Sequence, residues 1–388
     1  MSAPRIISFL PSATEMVYAL GLGDSLMGVT HECDYPAQAR SKPVVVSNVL
    51  PVERMSQQEI DIAVSERMRA GLSLYRVDEA LVREIAPDLI LTQDLCQVCA
   101  PSGNEVTQLL KALSTKPQIL WLTPKSIDQI FGNLRDLGAA TQRLVQAEAL
   151  IAARRARLAA VAAKSSSLSH RPRIFCMEWM DPVYCCGHWV PEMVRIAGGC
   201  DDLGRDGADS VRVSWDDVLS WAPEILIVMP CGFHMEKAAE QARQLFAYPG
   251  WSNLPAVRNG RVYAVDANAY FARPGPRVVE GTELLAHLIH PDVFAWDGPP
   301  DAYRNLLAPK KPRDHVRFDT HLHLGQSRQK CCSSCGSAFT CGPARGHDAC
   351  WCDALPQIVP SSDAADCLCP DCLSDAVTRV VVAPGTPL

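Results

Sequence analysis

The sequence predicts an α/β protein with two Rossmann-like lobes joined by one long helix, followed by a small cysteine-rich module of the zinc type. Three observations predict it: apolar strands alternate with helices, two passages echo each other, and nine of the 17 cysteines crowd between positions 331 and 372. The expected division is 1–125 for the first lobe, 126–168 for the connecting helix, 169–295 for the second lobe, 296–328 for a linker, 329–375 for the module and 376–388 for a tail.

The first strand and helix follow from local patterns. "RIISFL" has the apolar run of a buried strand, and "PSATEMVYALGLGD" is expected to form a loop and a helix that Gly21 and Gly23 terminate. Ser12 and Glu15 have the spacing of a capping box. Glu15 is therefore predicted to cap the helix rather than to act as a catalytic acid.

Two internal echoes predict two lobes of similar build. The pattern Glu-Met-Val…Gly…Asp that starts at Glu15 recurs with identical spacing from Glu192. The passage "VDEALVREIAPDLILTQDLC" (77–96) matches "VSWDDVLSWAPEILIVMPCG" (213–232), each a short helix, Ala-Pro-acid, a strand and a cysteine-bearing loop. Between the echoes, residues 126–164 contain no proline and favour one helix, a stiff connector.

Bulk composition excludes several classes of function. A formal net charge of −6 gives no basic surface for nucleic acid. No apolar run approaches the roughly 18 residues of a membrane span. The N-terminal "MSAPRIISFLPSATEM" lacks the features of a signal peptide, so a cytoplasmic protein is expected, and a periplasmic one if the start site is mis-assigned.

Four passages together resemble a known family: "RIISFLPSATEMVYALGLGDSLMGVTHECDYP", "APDLILTQDLC", the long helix, and "GWSNLPAVRNGRVYAVD" with "RPGPR". Over about residues 4 to 292 the chain is similar to the helical-backbone class of ABC-transporter substrate-binding proteins, and within it to the leaderless form of the vitamin B12-binding branch. The resemblance implies lobes that grip a planar macrocycle with little closure, a cobalamin or related corrinoid as ligand, and an ABC permease as partner only if the protein is exported. The class also includes binders of ferric siderophores and haem.

In parallel sheets ligands sit beyond the carboxyl ends of the strands, so the loops there form the expected cleft. The resemblance places the "ECDYP" loop at the mouth of this cleft, and Glu105 near the acidic residue with which exported members dock onto the permease. No catalytic residue is expected. The candidate ligand-binding residues are His31, Glu32, Cys33, Asp34, Tyr35, Gln93, Asp94, Cys96, Glu178, Trp179, His188, Trp189, Cys231, Phe233, Tyr270, Phe271 and Arg273.

Several of these residues have alternative interpretations. Cys96-x-x-Cys99 has redox-dithiol spacing, but its counterpart Cys231 has no such partner, which favours a cleft-lining loop or inert thiols. His31, Cys33, His188 and Cys231 are soft ligands that could converge on one metal or on the cobalt of a corrinoid, or could simply line a polar cleft. The aromatic residues Trp179, Trp189, Tyr270 and Phe271 could cover a macrocycle or pack in the core. Arg273 could pair with a ligand amide or carboxylate, or make only local bonds.

The C-terminal cysteines predict a metal-dependent module. A segment this short cannot build an adequate apolar core, and its close cysteine pairs suit thiolate chelation. It resembles the small cysteine-rich CWC domain family; zinc is expected, and an iron–sulfur cluster, disulfides or disorder are the alternatives. His315, His321 and His323 in the linker are expected to be solvated rather than metal ligands, and Cys331 and His347 are spare thiol and imidazole groups. The eight expected ligands, enough for two tetrahedral sites, are Cys332, Cys335, Cys341, Cys350, Cys352, Cys367, Cys369 and Cys372.

The function that follows is capture of a corrinoid by a binding protein without chemistry of its own. One alternative is a corrinoid- or metal-processing enzyme that uses the thiols of Cys96, Cys99 and Cys231. A third possibility is an interaction module that works through its cysteine-rich tail.

Overall fold

A computed structural model of the chain describes residues 4–93, 109–110, 113, 116–308, 328–331, 335 and 337–341. The chain divides into two units, Met1–Ala308 and Pro309–Leu388. Both expected lobes lie within the first unit. Of the helices in the described ranges, none combines the length and the hydrophobicity that crossing a membrane requires.

The first lobe is built on a six-stranded sheet in which every neighbouring pair of strands is parallel except that of the edge strand β4 with β3. Its strand order is β4-β3-β2-β1-β5-β6. The strands are β1 (Ile6–Ser8), β2 (Leu26–Thr30), β3 (Val44–Asn48), β4 (Tyr75–Val77), β5 (Leu89–Thr92) and β6 (Gln118–Trp121). The helices are α1 (Pro11–Ala19), α2 (Gln57–Arg69), α3 (Glu79–Ile85) and α4 (Ile127–Ala140), which follows β6.

The second lobe is built on a five-stranded sheet in the order β13-β12-β11-β7-β8, in which both edge strands pair antiparallel with their neighbours. Its strands are β7 (Ile174–Met180), β8 (Val183–Cys185), β11 (Ile225–Val228), β12 (Val262–Val265) and β13 (Tyr303–Asn305), beside the short pair β9 (Gly187–His188) and β10 (Arg205–Asp206). Its helices are α6 (Val190–Ile196), α7 (Trp215–Trp221), α8 (Met235–Gln241), α9 (Pro255–Arg258), α10 (Ala267–Tyr270) and α11 (Val278–Ile289).

The prediction of one uninterrupted helix over 126–164 is wrong. The chain forms α4 and a separate α5 (Leu144–Ser166), with Gln142 in the left-handed region at φ 58° between them. The two helices pack closely at Gly138, where an added Cβ would lie 2.6 Å from the Cβ of Ala147. The long connector between the lobes is therefore α5 alone, 23 residues in length.

Ion pairs connect α5 to one helix of each lobe. Arg157 donates to Glu280 and Glu283 of α11 in the second lobe, with its Nε 2.8 Å from Glu283. Arg155 pairs with Asp128 of α4 on the side of the first lobe. One hydrophobic core runs from β1 and α1 through α4 and α5 to α6 and α11. This shared core joins the lobes into one body.

The two Ala-Pro-acid echoes adopt the same structure. α3 and α7 each end at an alanine in the left-handed region, Ala86 at φ 46° and Ala222 at φ 50°. After the proline, the backbone N–H of Asp88 donates to the carbonyl of Arg5 at the start of β1. The N–H of Glu224 donates in the same way to Arg173 at the start of β7. The repeat inferred from sequence is thus confirmed in backbone detail.

The second lobe extends beyond the predicted boundary at 295. β13 pairs antiparallel with β12, and the Trp296 ring makes an edge contact with Tyr270 at 5.9 Å between centroids. The first unit accordingly reaches Ala308. In the second unit, β14 (Arg328–Cys331) and β15 (Ala338–Cys341) form an antiparallel pair.

Glycine at the two left-handed positions is expected to stabilise the protein. A Cβ in the left-handed conformation destabilises the folded state by about 1–2 kcal/mol, and glycine removes this cost. Glycine also increases the conformational entropy of the unfolded chain, which offsets part of the gain. Ala86→Gly and Ala222→Gly should each raise the free energy of unfolding by about 1 kcal/mol in a denaturant titration. Ala152→Gly, at an exposed position inside α5, is the matched control and should lower the free energy of unfolding by about 1 kcal/mol. If all three substitutions lower the free energy of unfolding by similar amounts, the backbone at Ala86 and Ala222 is not strained.

Candidate functional site

The loops beyond the carboxyl ends of the strands meet between the lobes, as expected for open α/β sheets. Asp34, after β2, contacts Arg273 and His234 of the second lobe. Gln57, after β3, contacts the end of β7 at Met180. These contacts join loops that were expected to line the ligand cleft.

Arg273 is buried in the seam between the lobes rather than free to meet a ligand. Its side chain is 8% exposed, and its guanidinium pairs with the Asp34 carboxylate and donates to the backbone oxygen of Glu32 at 2.9 Å. Burial by itself raises the pKa of Asp34, but hydrogen bonds from His234 and Arg273 outweigh it and hold that pKa well below its usual range. Arg273 and Asp34 therefore hold the lobes together.

Glu15 is the second partner in this seam, and its predicted capping role is wrong. α1 begins at Pro11 with no side-chain cap, and Glu15, almost fully buried, accepts from Arg277 Nε at 2.9 Å. Burial raises the pKa of Glu15, against the opposing effect of Arg277. Sequence reasoning missed Arg277, although the second arginine of "RPGPR" was the available signal.

Glu192, the counterpart of Glu15 in the sequence repeat, makes a corresponding contact from the second lobe to the first. Glu192, at the start of α6 in the second lobe, accepts from the backbone N–H of Ile127 at 2.9 Å, at the start of α4. Each of the two repeated glutamates therefore reaches across to the opposite lobe. The identical spacing seen in the sequence reflects matched inter-lobe contacts.

His234 bridges carboxylates of the two lobes. Its Nε2 lies 3.0 Å from Asp34 and its Nδ1 lies 2.9 Å from Asp266. Both ring nitrogens can donate to carboxylates only when the imidazole is protonated. Hydrogen bonds to Asp266 and Asp34 accordingly raise the pKa of His234 to about 9.

Tyr35 offers an open aromatic surface at the mouth of the cleft. Its side chain is 48% exposed, and the guanidinium of Arg277 lies over the ring at 3.9 Å from the centroid. Because Arg277 is also bonded to Glu15, the ring is held in place by a residue that is itself fixed. Among the predicted contact residues, Tyr35 best combines accessibility with a fixed position.

Trp179 and Phe233 form an aromatic pair on the second lobe, with ring centroids 5.6 Å apart. They share a small apolar cluster with Ile60 of α2, a helix that belongs to the first lobe. This helix was not predicted to contribute to the cleft. Its apolar residues are few, and their partners are more than 100 positions away in the sequence.

Several predicted ligand contacts are core residues instead, Phe233 at 4% exposure among them. The Trp189 indole N–H donates to the backbone oxygen of Phe271 at 2.9 Å, and both side chains are buried, as is that of Tyr270. The thiol of Cys33 lies 3.1 Å from the hydroxyl of Thr14, and burial raises its pKa. Gly- and Pro-rich loops suggested exposure, but these loops fold into the body of the lobes.

The structure does not support the alternative of a metal site in the cleft. His188 lies 3.2 Å from Asp209, and burial lowers its pKa. His31 is exposed and Cys231 is partly buried, but Cys33 is enclosed in the core. In the described ranges, no three His, Cys, Asp or Glu side chains are arranged to hold a metal ion. The convergence of His31, Cys33, His188 and Cys231 on one metal is therefore wrong.

The remaining described candidates have ordinary polar surroundings. Glu178 accepts from the Ser210 hydroxyl at 2.7 Å, and burial raises the pKa of this carboxyl. Gln93 is buried at the end of β5. The buried thiols Cys176 and Cys186 have pKa values raised well above 9 by burial, the opposite of what a reactive thiol needs.

Several predicted residues lie outside the described part of the chain. Cys335 and the backbone of Cys341 are described, and they lie at the turn and at the far end of the β14–β15 pair. The expectations for a redox motif, a docking acid, a histidine tract and most of the zinc ligands fall on undescribed residues: Asp94, Cys96, Cys99, Glu105, His315, His321, His323, Cys332, His347, Cys350, Cys352, Cys367, Cys369 and Cys372.

Comparison with known proteins agrees with this architecture. The model of the periplasmic binding protein family matches residues 6–269, and that of the cysteine-rich CWC family matches residues 332–374. The chain is 27% identical over 286 residues to the vitamin B12-binding protein of Vibrio cholerae, covering 73% of this chain and 88% of the relative. It is 25% identical over 296 residues to the uncharacterized ABC transporter substrate-binding lipoprotein YvrC of Bacillus subtilis, covering 75% and 81%.

A solved structure shares the fold at lower identity. The periplasmic heme-binding protein RhuT of Roseiflexus superposes with a TM-score of 0.58 at 20% identity, covering 75% of this chain and all of that one. The family matches confirm the resemblances inferred from sequence and indicate a binding protein rather than an enzyme. The chain belongs to the periplasmic binding protein family and carries a cysteine-rich CWC domain at its C-terminal end.

Proposed function

We propose that the chain binds a cobalamin or related corrinoid in the cleft between its lobes. The observation that carries the proposal is the match across both lobes to proteins named as vitamin B12-binding. The exposed ring of Tyr35 and the half-buried ring of Trp179 support it, because aromatic faces suit a planar macrocycle. Haem is the second candidate ligand, since two similar solved structures are named as periplasmic heme-binding proteins.

The architecture supports capture with little lobe movement. A continuous core and the seam of Glu15, Arg277, Arg273 and Asp34 hold both lobes. An ABC permease is the proposed partner if the protein is exported. Relatives named as a lipoprotein and as a periplasmic protein favour the periplasmic alternative, and the cytoplasmic location stays a prediction. Zinc in the cysteine-rich domain also stays a prediction.

Tyr35→Ala tests whether the ligand lies at the cleft. Loss of an aromatic face is expected to weaken cyanocobalamin binding by about tenfold, or about 1.4 kcal/mol, in equilibrium dialysis followed by visible absorbance. Phe246→Ala is the matched control, because Phe246 is comparably exposed, at 44%, but packs beside Trp251, which is not among the candidate ligand contacts. Equal effects of the two substitutions would contradict a cleft site, and uptake of hemin without cyanocobalamin would reverse the ligand assignment.

His234→Gln tests the carboxylate bridge between the lobes. Since folding raises the pKa of His234 from 6.5 to about 9, its stabilising contribution is complete below about pH 6.5 and is lost as the pH rises through 9. The thermal midpoint of the variant should therefore fall below that of the wild type at pH 6, with the difference closing by about pH 9–10.

His170→Gln is the control for this bridge. His170 is exposed and lies 3.0 Å from Glu224 within the second lobe, so its loss removes an imidazole without removing an inter-lobe contact. If the decrease in thermal midpoint caused by His234→Gln does not change with pH, or equals that caused by His170→Gln, the bridge does not join the lobes.

A further inference from the structure

Helix α2 lies in the first lobe by sequence but docks on the second lobe. Gln57 accepts through Oε1 from the backbone N–H of Met180 at 2.9 Å, and Asp61 pairs with Arg212 at 2.8 Å. The Nζ of Lys237 donates to the backbone oxygen of Val52, just ahead of the helix, at 3.1 Å. α2 thus forms a second bridge across the cleft, far from α5.

This bridge is lightly held. Of the residues in α2, Gln57 and Ile60 are buried, while Ile62 and Met68 present apolar side chains to solvent. A helix held by a small buried surface and a few polar contacts can leave its docked position at low cost. α2 can therefore respond to what occupies the cleft.

Two buried donors lie at the seam between α2 and the end of β7. The Nε2 of Gln57 and the indole Nε1 of Trp179 have no hydrogen-bond acceptor among the residues that the structure describes. Gln57 is 1% exposed, and its amide already contacts the Met180 peptide that directly follows Trp179. A buried N–H without an acceptor destabilises a protein, so such a group normally finds its partner in a bound water or a ligand.

We propose that Gln57 and Trp179 form a subsite for a carbonyl oxygen of the bound ligand, and that filling it fastens α2 onto the second lobe. The subsite rests on the proposed function. Both donors are neutral, so a neutral carboxamide oxygen, of the kind a corrinoid carries on its side chains, fits them. A carboxylate, such as a haem propionate, would bring a full charge against two donors that are both neutral.

Trp179→Phe separates binding from stability. The variant keeps an aromatic ring against Phe233 but lacks the indole N–H. Removing a donor without an acceptor should leave the thermal midpoint of the free protein unchanged or raised, whereas cyanocobalamin affinity should fall about tenfold. Opposite effects on stability and affinity are not expected of a residue with a purely structural role.

Trp215→Phe is the matched control. Its indole N–H donates to the backbone oxygen of Pro249 at 2.7 Å, within an apolar cluster of the second lobe. This substitution should lower the thermal midpoint and leave cyanocobalamin affinity unchanged. A Trp179→Phe variant that is destabilised to the same degree would show that the indole has a structural partner, and would overturn the subsite.

Hydrogen exchange tests the fastening of α2. In the wild type, cyanocobalamin should slow backbone exchange across residues 57–69. The slowing should be lost in Trp179→Phe and in Gln57→Leu, and should persist in Gln58→Leu, which changes an exposed neighbour on the same helix. If saturation with cyanocobalamin leaves exchange in the wild type unchanged, the subsite is refuted. Equal cyanocobalamin affinity of the wild type and Trp179→Phe also refutes it. Neither result refutes the proposed function.

A hemin titration distinguishes the remaining outcomes. A tenfold loss for hemin in Trp179→Phe, equal to that for cyanocobalamin, would overturn the assignment to a neutral carbonyl. A wild-type protein that takes up neither compound would refute the proposed function, and the subsite with it.

Discussion

The buried ion pairs in the seam between the lobes are the interaction on which the rest of the structure depends. Glu15 with Arg277, and Asp34 with Arg273, bring full charges out of water, and removing either member leaves the other uncompensated. Such a network is satisfied in one arrangement of the lobes. It therefore sets where the strand ends meet, and with them the outline of the cleft and the position of Tyr35.

Rigidity and mobility are distributed unevenly around this seam. On the α5 side, a shared hydrophobic core and the Arg157 ion pairs make the lobes one body. On the other side, α2 is joined by short polar contacts at Gln57 and Asp61. Adjustment to a ligand is therefore expected at α2, while the lobes keep their relative orientation.

The sequence predicted features that arise from local pattern and failed where partners are distant. Alternating apolar segments predicted the strands, and the Ala-Pro-acid echo predicted twin turns at Ala86 and Ala222. Glu15 was assigned to Ser12 by spacing, because its true partner, Arg277, lies 262 residues away. Trp189 and Phe271 were placed on the cleft because their loops are rich in glycine and proline, and only the tertiary fold shows that these loops turn inward.

Ala86 and Ala222 adopt the same left-handed backbone conformation at the same turn of the two lobes. Most chains that need this backbone conformation place glycine there, because a Cβ is disfavoured. Here both lobes keep alanine at the same point, followed by proline and an acid bonded to the start of the neighbouring strand. Two unrelated segments would rarely arrive at the same unfavourable choice with the same partners. The two lobes thus build their helix-to-strand turn from the same local motif, and each glutamate of the repeated helix meets the opposite half.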